Sequence, residues 1–62
     1  MLVEWGNKNG TEWELRQGVG GRGESIYFVQ STRKGEKGQT IKHHEGPFKT
    51  LNEAKHWVRW AI

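Results

Sequence analysis

The stretch Gly46-Pro47-Phe48-Lys49-Thr50-Leu51-Asn52-Glu53-Ala54-Lys55-His56-Trp57-Val58-Arg59-Trp60-Ala61-Ile62 decides the fold. Gly46-Pro47 predicts the end of a strand, because proline cannot donate to a β-ladder. Thr50 and Glu53 have the spacing of a capping box, in which each side chain accepts a backbone amide at a helix start. The following apolar residues recur at helical spacing and predict an amphipathic helix that packs on a sheet: Leu51, Ala54, Trp57, Val58, Ala61 and Ile62.

Upstream of this helix, strand-like alternation predicts the sheet. Residues 11–17 place Trp13 and Leu15 on one face and charged residues on the other. Residues 25–32 are the most β-prone and are apolar on both faces. We expect the helix to cover Ile26 and Phe28 of this strand, together with Trp13 and Leu15. Tyr27 and Val29 would then lie on the uncovered face.

Together these patterns predict one α+β domain over residues 1–62. The order is β-β-β-α, a small antiparallel sheet of three strands with the C-terminal helix on one face. The third strand is expected at residues 39–43, with Ile41 facing inward. Residues 1–5 are a candidate fourth strand, and Asn9-Gly10 is typical of a tight hairpin turn.

Composition narrows the class of protein. The chain has 62 residues, no cysteine and four tryptophans. No disulfide or thiolate metal site can stabilise it, so the large aromatic side chains must supply much of the core. No apolar run is long enough to span a membrane, and residues 1–20 lack a signal-peptide pattern. We therefore expect a cytoplasmic protein.

Two motifs that suggest small-ligand chemistry have simpler interpretations. Gly18-x-Gly20-x-x-Gly23 matches the letters of a dinucleotide fingerprint, but a strand follows where that motif requires a helix. A loop between strands is the favoured interpretation, although its unshielded amides and Arg22 could follow a phosphate backbone. His43 and His44 are adjacent in a predicted strand and would point to opposite faces, which argues against a shared metal ion.

No arrangement of nucleophile, base and carboxylate is legible, so the sequence predicts a protein that is not an enzyme and needs no cofactor. The net charge of +3 is compatible with a polyanionic partner. Basic residues on loops and on the expected uncovered face, with one aromatic residue among them, are the candidate nucleic-acid contacts: Arg16, Arg22, Tyr27, Arg33, Lys34 and Lys42. Glu12 and Glu14 argue against this assignment, because they place two negative charges on the same face.

The run Phe48-Lys49-Thr50-Leu51-Asn52-Glu53-Ala54-Lys55-His56-Trp57 resembles the phrase F-x-T-x-x-E-A-x-x-W. That phrase closes the three-stranded-sheet-plus-helix DNA-binding domain, the arm-binding domain, at the N-terminus of phage-type tyrosine recombinases. Plant ethylene-response-factor domains share this fold. Trp13-Glu14-Leu15-Arg16 resembles the opening strand of the same module, and residues 38–42 resemble its basic strand. The likeness extends over residues 11–60.

This resemblance implies that the sheet enters the major groove of double-stranded DNA. The contacts it implies are Arg16, Tyr27, Arg33, Lys34 and Lys42. Because no recombinase catalytic domain follows residue 62, it implies a free-standing phage or mobile-element accessory module. A protein-interaction module that binds a host protein or a second copy of itself is the alternative. That alternative would use Tyr27, Val29 and an exposed strand edge.

Overall fold

Four strands and one helix make up the chain. The computed structural model describes residues 1–62. The elements are β1 (Leu2–Lys8), β2 (Thr11–Val19), β3 (Ser25–Lys34), β4 (Thr40–Phe48) and α1 (Leu51–Ala61). The strands form one antiparallel sheet in the order β1-β2-β3-β4. The predicted α+β class is confirmed, and the candidate N-terminal strand is the fourth strand of the sheet.

The helix begins where the capping residues predict. Thr50 is the N-cap, and its hydroxyl oxygen accepts the Glu53 amide at 3.1 Å. The Glu53 carboxylate accepts the Lys49 amide at 3.3 Å, one residue before the partner expected in a capping box. At eleven residues, α1 is neither long nor apolar enough to cross a membrane.

Tight turns join the strands. Asn9 and Gly10 have φ values of 54° and 80°, so the predicted Asn-Gly turn between β1 and β2 is confirmed. The turns Gly20–Glu24 and Gly35–Gln39 share one geometry. In each, the first glycine donates to the carbonyl of the last residue and accepts from the glycine at the fourth position, which has positive φ.

A side chain closes each of these two turns. The Glu24 carboxylate accepts the Arg22 amide at 2.9 Å, and the Gln39 side-chain oxygen accepts the Lys37 amide at 3.0 Å. Both turns therefore follow one pattern, in which the glycine spacing serves the turn. The loop interpretation of the glycine-rich segment is confirmed for residues 20–24, whereas Gly18 and Val19 belong to β2.

The predicted end of β4 is wrong. The strand continues through Gly46 and Pro47 to Phe48. The ladder pairs Tyr27 with Phe48 and Val29 with Glu45, so two residues of β4 lie opposite the single residue between them on β3. This bulge on an edge strand accommodates a proline that has no amide to donate.

The core lies between α1 and one face of the sheet. Leu15 and Val29, both 0% exposed, are cross-strand partners, and Ala54 and Val58 of α1 complete the buried cluster. The residues packed around it are Val3, Trp13, Tyr27, Phe48, Leu51, Trp57 and Ile62.

The faces predicted for β3 are therefore reversed. Tyr27 and Val29 lie on the helix side, whereas Phe28 pairs with Arg16 and Ile26 pairs with Gly18 on the other side. The expected roles of Trp13 and Leu15 are confirmed. Because β3 is apolar on both faces, its own alternation could not decide the orientation, and the register with β2 decides it.

Leu15→Ala tests the central packing. Removal of this fully buried side chain is expected to cost about 2–5 kcal/mol of unfolding free energy, because a cavity remains beside Val29. That is a large fraction of the roughly 3–9 kcal/mol expected for a domain of this size. Chemical denaturation followed by tryptophan fluorescence measures the change. Val19→Ala, at an exposed strand end, is the control and should stay within about 0.5 kcal/mol of the parent.

Two glycine substitutions in the β2–β3 turn should have opposite effects. Gly23 has a φ of +79°, so Gly23→Ala should destabilise the fold by about 1–2 kcal/mol. Gly21 does not have a positive φ, and a Cβ at this position would meet no atom within 4 Å. Gly21→Ala should therefore stabilise by about 0.4–1 kcal/mol through the unfolded chain. Equal melting temperatures for the two variants would contradict this turn geometry.

Candidate nucleic-acid interface on the outer sheet face

The side of the sheet opposite α1, here called the outer face, is covered by no part of the chain. Cross-strand pairing arranges its side chains in rows that run from β1 to β4. One row holds Trp5, Glu14, Gln30 and His44; the next holds Asn7, Glu12, Thr32 and Lys42. A third row contains Leu2, Arg16 and Phe28.

Two aromatic rings lie on this outer face. Trp5 is 69% exposed, and Phe28 is 37% exposed. A Cβ added to either Gly18 or Gly46 would lie 3.2 Å from the Phe28 ring, so two glycines on the neighbouring strands leave room for that ring to lie against the sheet. Phe28 therefore presents an open ring surface without a crevice around it, and Trp5 is more open still.

Charges on the outer face are divided between strands. The acidic residues, Glu12 and Glu14, are on β2, and Glu14 forms an ion pair with Arg16 at 2.7 Å. The β3–β4 half carries Lys34 and Lys42, with His44 in the row beside Lys42. The ion pair offsets the charges of Glu14 and Arg16, which leaves Glu12 on β2 and the two lysines on β3 and β4, so the outer face is more positive toward β4.

The structure places only half of the predicted contact residues on one face of the sheet. Arg16, Lys34 and Lys42 lie on the outer face. Arg22 is at the tip of the β2–β3 turn, and Arg33 pairs with Ile41 on the helix side, beside Ile62.

Tyr27 does not lie on the outer face. It packs against the core on the side that α1 covers. Its predicted role as a stacking residue of the uncovered face is therefore wrong. The register of β3 with β2 places both Tyr27 and Val29 on the helix side.

The aromatic residues of the outer face are not evident from sequence patterns. Alternation groups Trp5 with Val3, but a register shift between Leu2 and Glu4 separates them: Val3 packs on the core, and Trp5 lies across from Glu14. The signal for Phe28 is its pair of flanking glycines, which can be recognised only when the strand pairing is known.

A second open surface lies on the β4 side of α1. This aromatic groove has a volume of about 630 Å³ and is lined by Phe48, Asn52, Glu53, His56, Trp57, Trp60 and Ala61. Trp57 stacks on His43 with ring centroids 5.7 Å apart. The rings of His56 and Trp60 are tilted against each other, with centroids 5.9 Å apart. Trp60 is 72% exposed, in keeping with its position off the predicted buried stripe.

The expected orientation of the adjacent histidines is confirmed. His43 shares the helix side with Trp57, whereas His44 pairs with Gln30 on the outer face. The two imidazoles therefore lie on opposite sides of β4.

Comparison with protein-family models, with curated proteins and with solved structures gave no match. The resemblance to the recombinase arm-binding domain stays a prediction.

Proposed function

We propose that this chain is a small non-enzymatic DNA-binding protein that contacts DNA with its outer sheet face. The observation that carries the proposal is the presence of exposed rings, Trp5 and Phe28, on an uncovered sheet face that also carries Arg16, Lys34 and Lys42. Aromatic surfaces for stacking combined with cations for phosphates are the usual components of nucleic-acid-binding sheets.

The distribution of charge suggests an orientation for the strand of DNA. Lys34 and Lys42 favour a phosphate backbone that follows the β3–β4 side. Bases would then extend across the sheet toward Phe28 and Trp5. Glu12 and Glu14 disfavour phosphate above β2, and the ion pair of Glu14 with Arg16 reduces this repulsion.

The exposed rings favour unpaired bases over a duplex. Stacking requires a free base surface, which a paired and stacked duplex does not offer. Reading of the major groove, which the recombinase resemblance implies, instead requires polar side chains aimed at base edges. Comparing a single strand with a duplex of the same sequence therefore separates the two modes of DNA binding.

The setting of the proposed activity follows from the sequence alone. The resemblance favours an accessory protein of a phage or mobile element, and the lack of a signal-peptide pattern favours the cytoplasm; both stay predictions.

Fluorescence anisotropy of a short labelled DNA oligonucleotide, measured at several salt concentrations, tests the proposal. Trp5→Ala should weaken single-strand binding by about 1–3 kcal/mol with an unchanged salt slope, because a stacking surface is lost. Lys42→Ala should weaken binding and reduce the salt slope by about 0.7, because one phosphate contact is lost.

Two variants on the helix side provide matched controls. Trp60→Ala removes an equally exposed indole, and Lys55→Ala removes a lysine that lies 3.5 Å from Glu4. Neither should change DNA affinity at low protein concentration. Binding of neither the single strand nor the duplex at low salt would rule out the proposed function, and tighter binding of the duplex would exclude the stacking mode.

A further inference from the structure

The two long sides of α1 differ in chemistry. On the β1 side, Lys55 contacts Glu4 at 3.5 Å, and the Lys8 ammonium donates to the Arg59 carbonyl. These polar contacts close that side against β1. On the β4 side, the aromatic groove remains open, with Trp60 at its rim.

The strand beneath that groove has a free edge. β4 is the last strand of the sheet, so one side of its backbone has no strand partner. The Gly35 amide donates to the Gln39 carbonyl at 2.7 Å. Because hydrogen-bonded and non-hydrogen-bonded pairs alternate along an antiparallel ladder, the backbone groups of His43 face β3, and those of Lys42 and His44 face the free edge.

The chain exposes more surface than its mass predicts. Its accessible area is 4837 Å², whereas a monomer of 7.2 kDa is expected to expose about 4100 Å². The difference of roughly 700 Å² is close to the approximately 800 Å² that each partner buries in a stable protein–protein interface. The extents of 42, 19 and 15 Å show that the excess accompanies an elongated shape.

We propose that the chain forms a symmetric homodimer through the free edge of β4 and the adjacent aromatic groove. A two-fold axis normal to the sheet near His43 and His44 pairs the two β4 strands antiparallel and places both helices on the same side. Each Trp60 then meets the aromatic groove of the second copy, and the two sheets become one eight-stranded sheet.

A second copy suits this surface because it supplies both an edge strand to pair with β4 and a tryptophan to enter the aromatic groove. Antiparallel β4 strands can pair with each other across a two-fold axis, as an isologous interface requires. Edge-to-edge joining also widens the molecule across its strands, while its length stays the same. A domain with only four buried apolar residues gains core from such pairing, as small folds commonly do. The outer face stays uncovered in both copies.

Sedimentation equilibrium tests the contribution of the groove. We expect the wild-type chain to shift from 7.2 kDa toward twice that mass between about 5 and 300 µM. Trp60→Ala should raise the dimer dissociation constant at least tenfold, because tryptophans that become buried at the centre of an interface are frequent hot spots. Trp5→Ala is the matched control, since that indole is 69% exposed on the outer face, and it should change the constant less than twofold.

Amide hydrogen exchange by NMR tests the edge in the unmodified chain. The Lys42 and His44 amides should exchange about threefold more slowly at about 1 mM than at about 50 µM, because the fraction of monomer falls by about that factor when the dissociation constant is near 50 µM. The His43 amide, which faces β3, should be protected at both concentrations and serves as the internal control.

Three results would overturn the homodimer: a wild-type monomer at about 300 µM, a dimer that Trp60→Ala leaves unchanged, or Lys42 and His44 exchange that does not depend on concentration. None of these results bears on DNA binding, which depends on Trp5 and Lys42 side chains of the outer face. The two proposals therefore fail separately.

Discussion

The pairing of Leu15 with Val29 is the contact on which the rest of the structure depends. These two side chains are the largest that the fold buries completely, and they lie opposite each other on the two central strands. Ala54 and Val58 rest on them and hold α1 on one side of the sheet. Since the partly buried apolar residues that pack on this cluster come from α1 and from the same side of the sheet, the pair decides which side of the sheet is covered and which is free.

Much of the architecture could be predicted from the sequence because the relevant signals are local. These signals are the cap at Thr50, the Asn9-Gly10 turn and the apolar period of α1. Each depends on residues that are close together in the sequence. The faces of β3 could not be predicted in this way. Tyr27, Phe28 and Val29 are all compatible with a buried position, and only pairing with a strand distant in sequence selects between them. The passage of β4 through Pro47 likewise depends on its position at an edge.

The candidate site was harder to predict than the fold, for a related reason. Cations on strands or turns are easy to recognise, but their faces follow from the register. Arg16 and Lys42 therefore share a surface, whereas Arg33 lies on the opposite side. The aromatic residues of the outer face depend on two irregularities, the register shift beside Trp5 and the glycines around Phe28. Both irregularities lie at positions other than the exposed aromatic residue, so inspection of that residue alone cannot find them.

The repeated five-residue turns have a consequence for how this chain can vary. Gly20–Glu24 and Gly35–Gln39 close the two hairpins that contain β3, each by hydrogen bonds within its own backbone and one side chain. These hydrogen bonds hold both ends of β3 against its neighbours without any contribution from the core. Altering the length of either loop by one residue would shift the pairing register, and the side chains of a whole strand would then point to the opposite face of the sheet. Loop length is therefore the constrained quantity in this protein, while the polar tips at Arg22 and Lys37 remain free to diversify.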